Sequence, residues 1–327
     1  MKSHRTAKFL MAIGLMMCSP VIATGQPYPN KPIRMIVGFP PGGGADLIGR
    51  VIADQLSQKL KTQVIVVNTS GAGSSIAASA AAAAAPDGYT ILLATSSFTI
   101  NPNIYKYVNY DPIKDFIPIA PVGNSPFYIV VRSSSPIDSI EKLIASAKDR
   151  PDALTYSSGG NGSVGNLAAE LLKSRAGINI VHIPYRGLAP AIAALMGGTV
   201  DMTMSDLATS LSSIRSGRLK AIGVTTAARV RWLPEVPTVS ESGVAGYQVV
   251  LWYGLFVPAA VPKEVVDKLY AAVVSVFKFP DKSLTDRYNA LGDVLPSIQS
   301  REIFAAFVKS DLDFWQKTIN DAGIKRQ

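Results

Sequence analysis

The chain has 327 residues, with 32 Lys+Arg against 23 Asp+Glu for a formal charge of +9, and one cysteine, Cys18. That length is enough for two globular units with ordinary hydrophobic cores, and a lone cysteine excludes an internal disulfide or a cysteine metal cluster. The basic residues are scattered singly, without a Lys/Arg run or an interleaved aromatic patch, so the surplus describes a solvated surface attractive to anions rather than a nucleic-acid interface.

The first residues read as a secretory signal peptide. Lys2, Arg5 and Lys8 precede an apolar stretch over 9–17, and Ala23, Thr24 and Gly25 stand just before Gln26. Cleavage is expected after Gly25. The apolar stretch is shorter than the roughly 20 residues of a membrane-spanning helix, and Pro20 interrupts any continuation. A lipid anchor on Cys18 would need a small residue before it, where Leu15, Met16 and Met17 stand instead. Cleavage removes Cys18 and three cations, so +9 less 3 leaves +6 on the mature chain.

After the signal, an apolar β-rich run over 33–39, a turn cluster at 40–44 and helical spacing over 46–60 give strand, glycine loop, helix. The unit recurs as a strand at 63–67, a small-residue helix over 74–85 stopped by Pro86, and a strand at 90–94. A second series starts with a strand at 127–131 and continues with a helix at 137–148, a strand at 154–156 and a helix at 164–176. Strands at 180–183, 200–204 and 221–224 complete it, with a helix at 190–196. The strand-like run 252–257 comes next, then helices at 263–277 and 301–320. Alternating strands and helices predict α/β architecture with mostly parallel sheets covered on both faces. The expected organisation is a cleaved signal over 1–25, a discontinuous first lobe of 26–125 plus 250–327, and a second lobe of 126–249. Two ordered strands near 125–131 and 247–257 would join the lobes as a hinge, leaving a cleft where a small molecule can bind.

The loops carry the chemistry. Phe39 to Asp46 reads FPPGGGAD between a strand and a helix. Glycines there let backbone N–H groups turn toward a ligand, and the helix start adds partial positive charge for an anion. By composition alone the same residues serve equally as a tight turn, with Asp46 stabilising the first helical turn. Ser157 to Ser163 reads SSGGNGS, again before a helix start. Gly160, Gly162 and Gly165 there match the spacing G-x-G-x-x-G, but the next strand, ending near Ile183, leads into Pro184, Tyr185 and Arg186 and offers no acid for a ribose, so nucleotide binding is not expected. Further polar loops succeed strands at 95–99, 185–187 and 205–208, on the side where ligands gather in open α/β sheets. Phe98 and Tyr185 are candidates to flank an apolar ligand body, and Arg186 to pair with a second carboxylate, against the plainer readings of core packing and solvation.

Catalytic arrangements are poorly supported. Once the signal is removed, His182 is the one histidine, set in an apolar strand where a structural role is expected. Neither G-x-S-x-G nor H-E-x-x-H occurs, and no carboxylate pair presents itself for acid–base work. No enzyme, cofactor or metal site is expected.

In chain order, Pro29 to Arg34 leading into Val37 to Gly43, then Pro86 to Thr90, Gly159 to Ser163, His182 to Gly187, Leu233 to Thr238 and Trp252 to Leu255 carry a family likeness. From about Tyr28 to the C-terminus the chain resembles the substrate-binding receptors of tripartite tricarboxylate transporters, the Bug family of periplasmic solute receptors. The resemblance implies a two-lobed periplasmic-binding-protein type II fold closing on a small organic carboxylate, be it mono-, di-, tricarboxylic or aromatic, partly through water. The implied ligand-binding positions are Gly43, Gly44, Ala45 and Asp46 in the first loop and Ser158, Gly159, Gly162 and Ser163 in the second. Thr95, Ser96, Gly187 and Asp206 match further cleft segments less sharply, Asp206 being succeeded by Leu207 and Ala208 where the family often has a proline. Because a carboxylate beside a bound carboxylate would repel it, Asp46 is expected to accept backbone N–H bonds and order its loop. The resemblance further implies a monomeric periplasmic protein, membrane permease subunits as partners, and no nucleic acid. A receptor presenting the acid to a sensor kinase is the alternative.

Overall fold

A computed structural model describes residues 28–278, 280–321, 323, 324 and 326; the expected signal over 1–25 lies outside them. Two βα-type series are stitched together by long antiparallel strands. The first comprises β1 (Ile33–Val37), α1 (Gly44–Leu60), β2 (Val64–Asn68), α2 (Ser75–Ala82), β3 (Thr90–Thr95) and α3 (Ser97–Ile104). β4 (Phe116–Arg132) leads into α4 (Ile140–Asp149), β5 (Thr155–Ser158), α5 (Val164–Ala176), β6 (Val181–Pro184), α6 (Leu188–Met196), β7 (Met202–Asp206), α7 (Leu207–Arg215) and β8 (Leu219–Val224). β9 (Val250–Pro258) returns the chain, and α8 (Lys263–Phe277), α9 (Lys282–Leu291) and α10 (Arg301–Asp321) finish it.

The strand order is β2-β1-β3-β9-β4-β7-β5-β6, with β8 also on β4. β4 belongs to both halves. Up to Pro126, opposite Val250, it runs beside β9; from Phe127, opposite Asp206, it runs between β7 and β8. The pairs β1–β2, β1–β3, β5–β6 and β5–β7 are parallel, whereas every pair made by β4 or β9 is antiparallel. The sheets are therefore more mixed than the alternating pattern predicts. The two crossing strands, β4 and β9, run against all their neighbours and make up the antiparallel part. Only half of β4 has a strand signature in the sequence, since Pro118, Pro121 and Pro126 break it; its register shifts between Pro118 and Ala120 and between Pro121 and Gly123 show how a strand accommodates prolines.

Where the chain crosses between lobes the two passages are tied together. The buried Thr225 hydroxyl donates to the Val249 carbonyl at 2.7 Å and accepts the Phe127 N–H at 3.3 Å, and the Val249 N–H returns to the Thr225 carbonyl at 2.9 Å. The closing helices pack back on the first lobe: Phe304 of α10 meets Phe256, while Trp252 and Thr99 both donate to Asp311 of α10, at 2.9 and 2.5 Å. Among the described residues no helix is long and apolar enough to cross a membrane.

Candidate functional site

Five strand ends deliver five helix starts to one place. β1 runs through the 38–43 loop into α1, β3 ends at Thr95 just before α3, β5 runs through 159–163 into α5, β6 through 185–187 into α6, and β7 passes directly into α7. Their first residues surround a cavity of about 510 Å³, mouth included, between the lobes. Gly43, Gly44 and Ala45 line it from α1, Ser163, Val164 and Gly165 from α5, Gly187, Leu188 and Ala189 from α6, Ser97 from α3 and Asp206 from the start of α7. First-turn N–H groups have no acceptor within their own helix and carry the positive end of its dipole. The walls are apolar, from Phe39, Pro40, Pro41, Phe127 and Leu251, and no Lys, Arg or His is among the lining residues. Such a cavity can hold negative charge on peptide amides in a low-dielectric setting, with apolar surface for a carbon chain.

Of the twelve residues singled out from sequence, Gly43, Gly44, Ala45, Thr95, Gly159, Ser163, Gly187 and Asp206 line this cavity; Asp46, Ser96, Ser158 and Gly162 do not. The four support the lining. Asp46 is buried and accepts the Gly42 N–H at 3.0 Å, Asn68 Nδ2–H at 2.9 Å and, two-pronged, the Nε–H and Nη2–H of Arg50 at 3.0 and 2.9 Å. Burial pushes its carboxyl up, but Arg50, the Gly42 amide and Asn68 outweigh that and hold it below the usual range. Its charge is thereby spent on the loop rather than presented to a ligand. Ser96 accepts the Trp252 N–H at 3.1 Å and donates to the Val250 carbonyl at 3.3 Å, fixing β9. Ser158 contacts His182 Nε2 at 2.7 Å. Gly162 takes φ +70° and donates its N–H to Asn166 Oδ1 at 3.1 Å, shaping the turn before α5.

His182 is structural. It stacks on Tyr156 with ring centroids 4.6 Å apart, and burial, with a smaller contribution from Lys173, lowers its pKa to about 4 against the opposing pull of Glu170. Phe98 lies in the first lobe's core among Tyr110, Phe116 and Phe256, not at the cavity. Tyr185 and Arg186 line a second hollow on the far side of Pro40, together with the 70–74 loop and Asn161. Among the described residues no group of three or more His, Cys, Asp or Glu could hold a metal ion.

The lobes touch around the cavity. Tyr105 donates its hydroxyl to the Asn161 carbonyl at 2.7 Å. Glycines make the close approaches possible: a methyl on Gly44 would overlap the Asp206 carboxylate, one on Gly187 would stand 2.8 Å from Pro40 Cδ, and one on Gly73 would stand 2.5 Å from the Asn161 carbonyl oxygen. Sequence reasoning missed Phe127, Leu188, Ala189 and Leu251 as lining. Phe127 and Leu251 flank the hinge crossings, and Leu188 and Ala189 simply continue from Gly187 into α6, a signal available once that loop was nominated.

Two α/β lobes joined by paired strands, with helix starts converging on the cleft, define a solute receptor of the periplasmic-binding-protein class. The family model described as "Tripartite tricarboxylate transporter family receptor" matches residues 48–324, and the chain belongs to that family. It is 31% identical to the protein BugT of Bordetella pertussis over 323 residues, covering 97% of this chain and 98% of BugT. Among solved structures it is similar to Rpa4515 of R. palustris with adipate, at 32% identity and TM-score 0.87 over 92% of this chain and 100% of that one. It is also similar to MatC of Rhodopseudomonas palustris with bound malate, at 27% identity and TM-score 0.83 over 89% of this chain and 100% of that one. The family is one of receptors, and this chain is not an enzyme.

Proposed function

We propose that this protein is a periplasmic receptor that captures a small organic carboxylate between its lobes and delivers it to membrane permease subunits of a tripartite tricarboxylate-type transporter. The observation that carries this reading is the meeting of five helix starts on an apolar cavity with no side-chain cation among its lining residues. Adipate and malate in the two structural neighbours are consistent with it. Gly43, Gly44, Ala45, Gly159, Ser163 and Gly187 supply the main-chain and hydroxyl contacts, with Thr95 and Asp206 closing the pocket. Asp46, Ser96, Ser158 and Gly162 act by holding those loops in place. The lobes swing about the crossings at 125–127 and 249–250, and the acid bridges them in the closed form. The protein is exported, loses residues 1–25, and works as a monomer.

A thermal-shift screen over mono-, di- and tricarboxylic and aromatic acids tests the reading. An acid at one hundred times its dissociation constant stabilises the fold by about 2.7 kcal/mol, which for a two-lobed chain is a shift of several degrees. No shift with any acid on the panel would contradict it. For the delivery step, uptake of the bound acid by cells carrying a candidate permease should require this protein.

A further inference from the structure

Where β4 passes from one lobe to the other, two buried carboxyls flank it. Asp206 ends β7 opposite Phe127 and is 1% exposed; Asp293, just beyond α9, is 0% exposed. Val294, next to Asp293, pairs with Asn124 of β4 through N–H···O bonds of 3.2 and 2.8 Å, so this acid is anchored beside the crossing. Asp206 Oδ1 accepts the Thr209 N–H at 2.8 Å. By contrast, among the described residues both Asp293 oxygens, the Tyr253 hydroxyl and the Ser125 hydroxyl are buried without a well-formed hydrogen bond, the Ser125 hydroxyl lying near Asp293 but not in bonding geometry. The polar and titratable groups bearing on Asp293 are Ser125 from β4, Tyr253 from β9, Tyr288 from α9 and Asp206 from the other lobe. Among the described residues no cation acts on either acid.

An ionised carboxylate buried without a donor or a counter-charge is strongly disfavoured. Burial pushes Asp293 well above the ordinary carboxylate range, partly offset by the Ser125 hydroxyl and reinforced by the charge of Asp206. Burial raises Asp206 as well, against the bonds from Thr209. A carboxylate held in the cavity that Asp206 lines would add a third negative charge to the same desolvated space.

Contacts between the lobes lie directly beside this pair. Gly292, next to Asp293, lies so close under Leu207 that a methyl group would overlap that side chain. A methyl on Gly44 would meet both the Asp206 carboxylate and the Tyr253 hydroxyl, the latter at 3.1 Å. Parting the lobes withdraws Leu207 and Asp206 from Gly292 and Tyr253 and admits water, in which both acids ionise at ordinary pH.

We propose that the closed receptor binds a proton together with its anionic ligand, shared by Asp293 and Asp206 beneath the cavity, so that capturing a carboxylate takes up a proton from solution. The inference rests on the carboxylate-receptor reading above. The proton leaves a buffer acid and adds to a carboxylate oxygen of the pair, which cancels one of the negative charges enclosed by closure. Because the closed form binds more protons than the open one, affinity falls as pH rises above the ordinary carboxylate range, by at most about tenfold per pH unit for each proton taken up.

Calorimetric titration of the receptor with adipate, malate and citrate at pH 7, in phosphate and in Tris, reads the proton directly. For an acid that binds, the observed heat should be less exothermic in Tris than in phosphate, by about the difference between the two buffers' ionisation heats for one proton. Asp293→Asn should keep binding and lose most of that difference. Equal heats in the two buffers, or an undiminished difference in Asp293→Asn, would overturn the proposal. If none of the three acids binds, the receptor reading itself fails, whereas binding with equal heats in the two buffers overturns the proton alone. With the acid that binds at saturation, the wild type should lose melting temperature relative to Asp293→Asn as pH rises between 5 and 8, because a group whose pKa is raised in the closed form releases its proton on unfolding. Parallel melting curves would refute it.

Discussion

Tyr105 of the first lobe and Asn161 of the second are joined by a 2.7 Å hydrogen bond from the tyrosine hydroxyl to the asparagine carbonyl, a direct polar link across the mouth of the cleft. It exists only while the lobes are together. Tyr105→Phe removes the donor and keeps the ring, so it should cost the closed form about 0.5–1.5 kcal/mol, or roughly 2- to 12-fold in ligand affinity. Calorimetric dissociation constants for wild type and variant check this; equal affinities would mean the link contributes nothing to capture.

Gly44 offers a sharper probe of closure. It begins α1, where alanine is a better helix former than glycine by roughly 0.8–1 kcal/mol, which offsets the small shift that a methyl 3.1 Å from the Tyr253 hydroxyl would require within the first lobe. Its methyl would, however, collide with Asp206 of the other lobe. The expected outcome is an unchanged or raised melting temperature without ligand and at least about a tenfold loss of affinity, the equivalent of ~1.4 kcal/mol. Full affinity would show that the two residues separate in the bound state.

Asp46 is predicted to stabilise the fold and to do so with a definite pH dependence. Although burial opposes it, Arg50, the Gly42 amide and Asn68 depress its folded pKa, so its contribution is present above the unfolded value of about 3.9 and fades as pH falls through the folded one. Asp46→Asn should cost about 1–3 kcal/mol near neutrality, as expected for hydrogen bonds to a charged group. That penalty should shrink below about pH 4. Chemical denaturation at pH 7 and pH 3 measures both. Substantially tighter ligand binding in the variant would instead place Asp46 against the ligand.

His182 should act in the neighbouring window. Burial first, and Lys173 second, keep it neutral down to about 4, while an unfolded histidine titrates near 6.5. Stability it contributes is therefore complete above that value and lost as pH falls from about 6.5 toward 4. His182→Gln should flatten the melting temperature over this range. A variant that melts in parallel with wild type would contradict the assignment.

Much of this was legible in the sequence because glycine loops between apolar runs mark strand-to-helix turns, and such turns gather at one edge of an α/β sheet. The FPPGGGAD and SSGGNGS segments accordingly bring Gly43, Gly44, Ala45, Gly159 and Ser163 to the same cavity. Roles one layer behind the lining were not legible: whether Ser158 faces a ligand or His182 depends on how β5 and β6 pair, which no local pattern specifies. α7 was hidden because Asp206 both ends β7 and caps the helix with no loop between them, accepting the Thr209 N–H at 2.8 Å. α9 has a weakly apolar face, with Leu284 and Tyr288 buried, so its periodicity was faint. Asp293 carried no signal at all, since its burial arises from tertiary packing among Ser125, Tyr253 and Tyr288, which come from three different elements.

The most direct measurement is a crystal structure of the receptor with whichever acid gives the largest thermal shift. The account predicts carboxylate oxygens within about 3 Å, directly or through one water, of amide nitrogens at the starts of both α1 and α5. An acid bound by one lobe alone, or in the second hollow beside Arg186 with the amides of Gly44 and Val164 left to solvent, would contradict it.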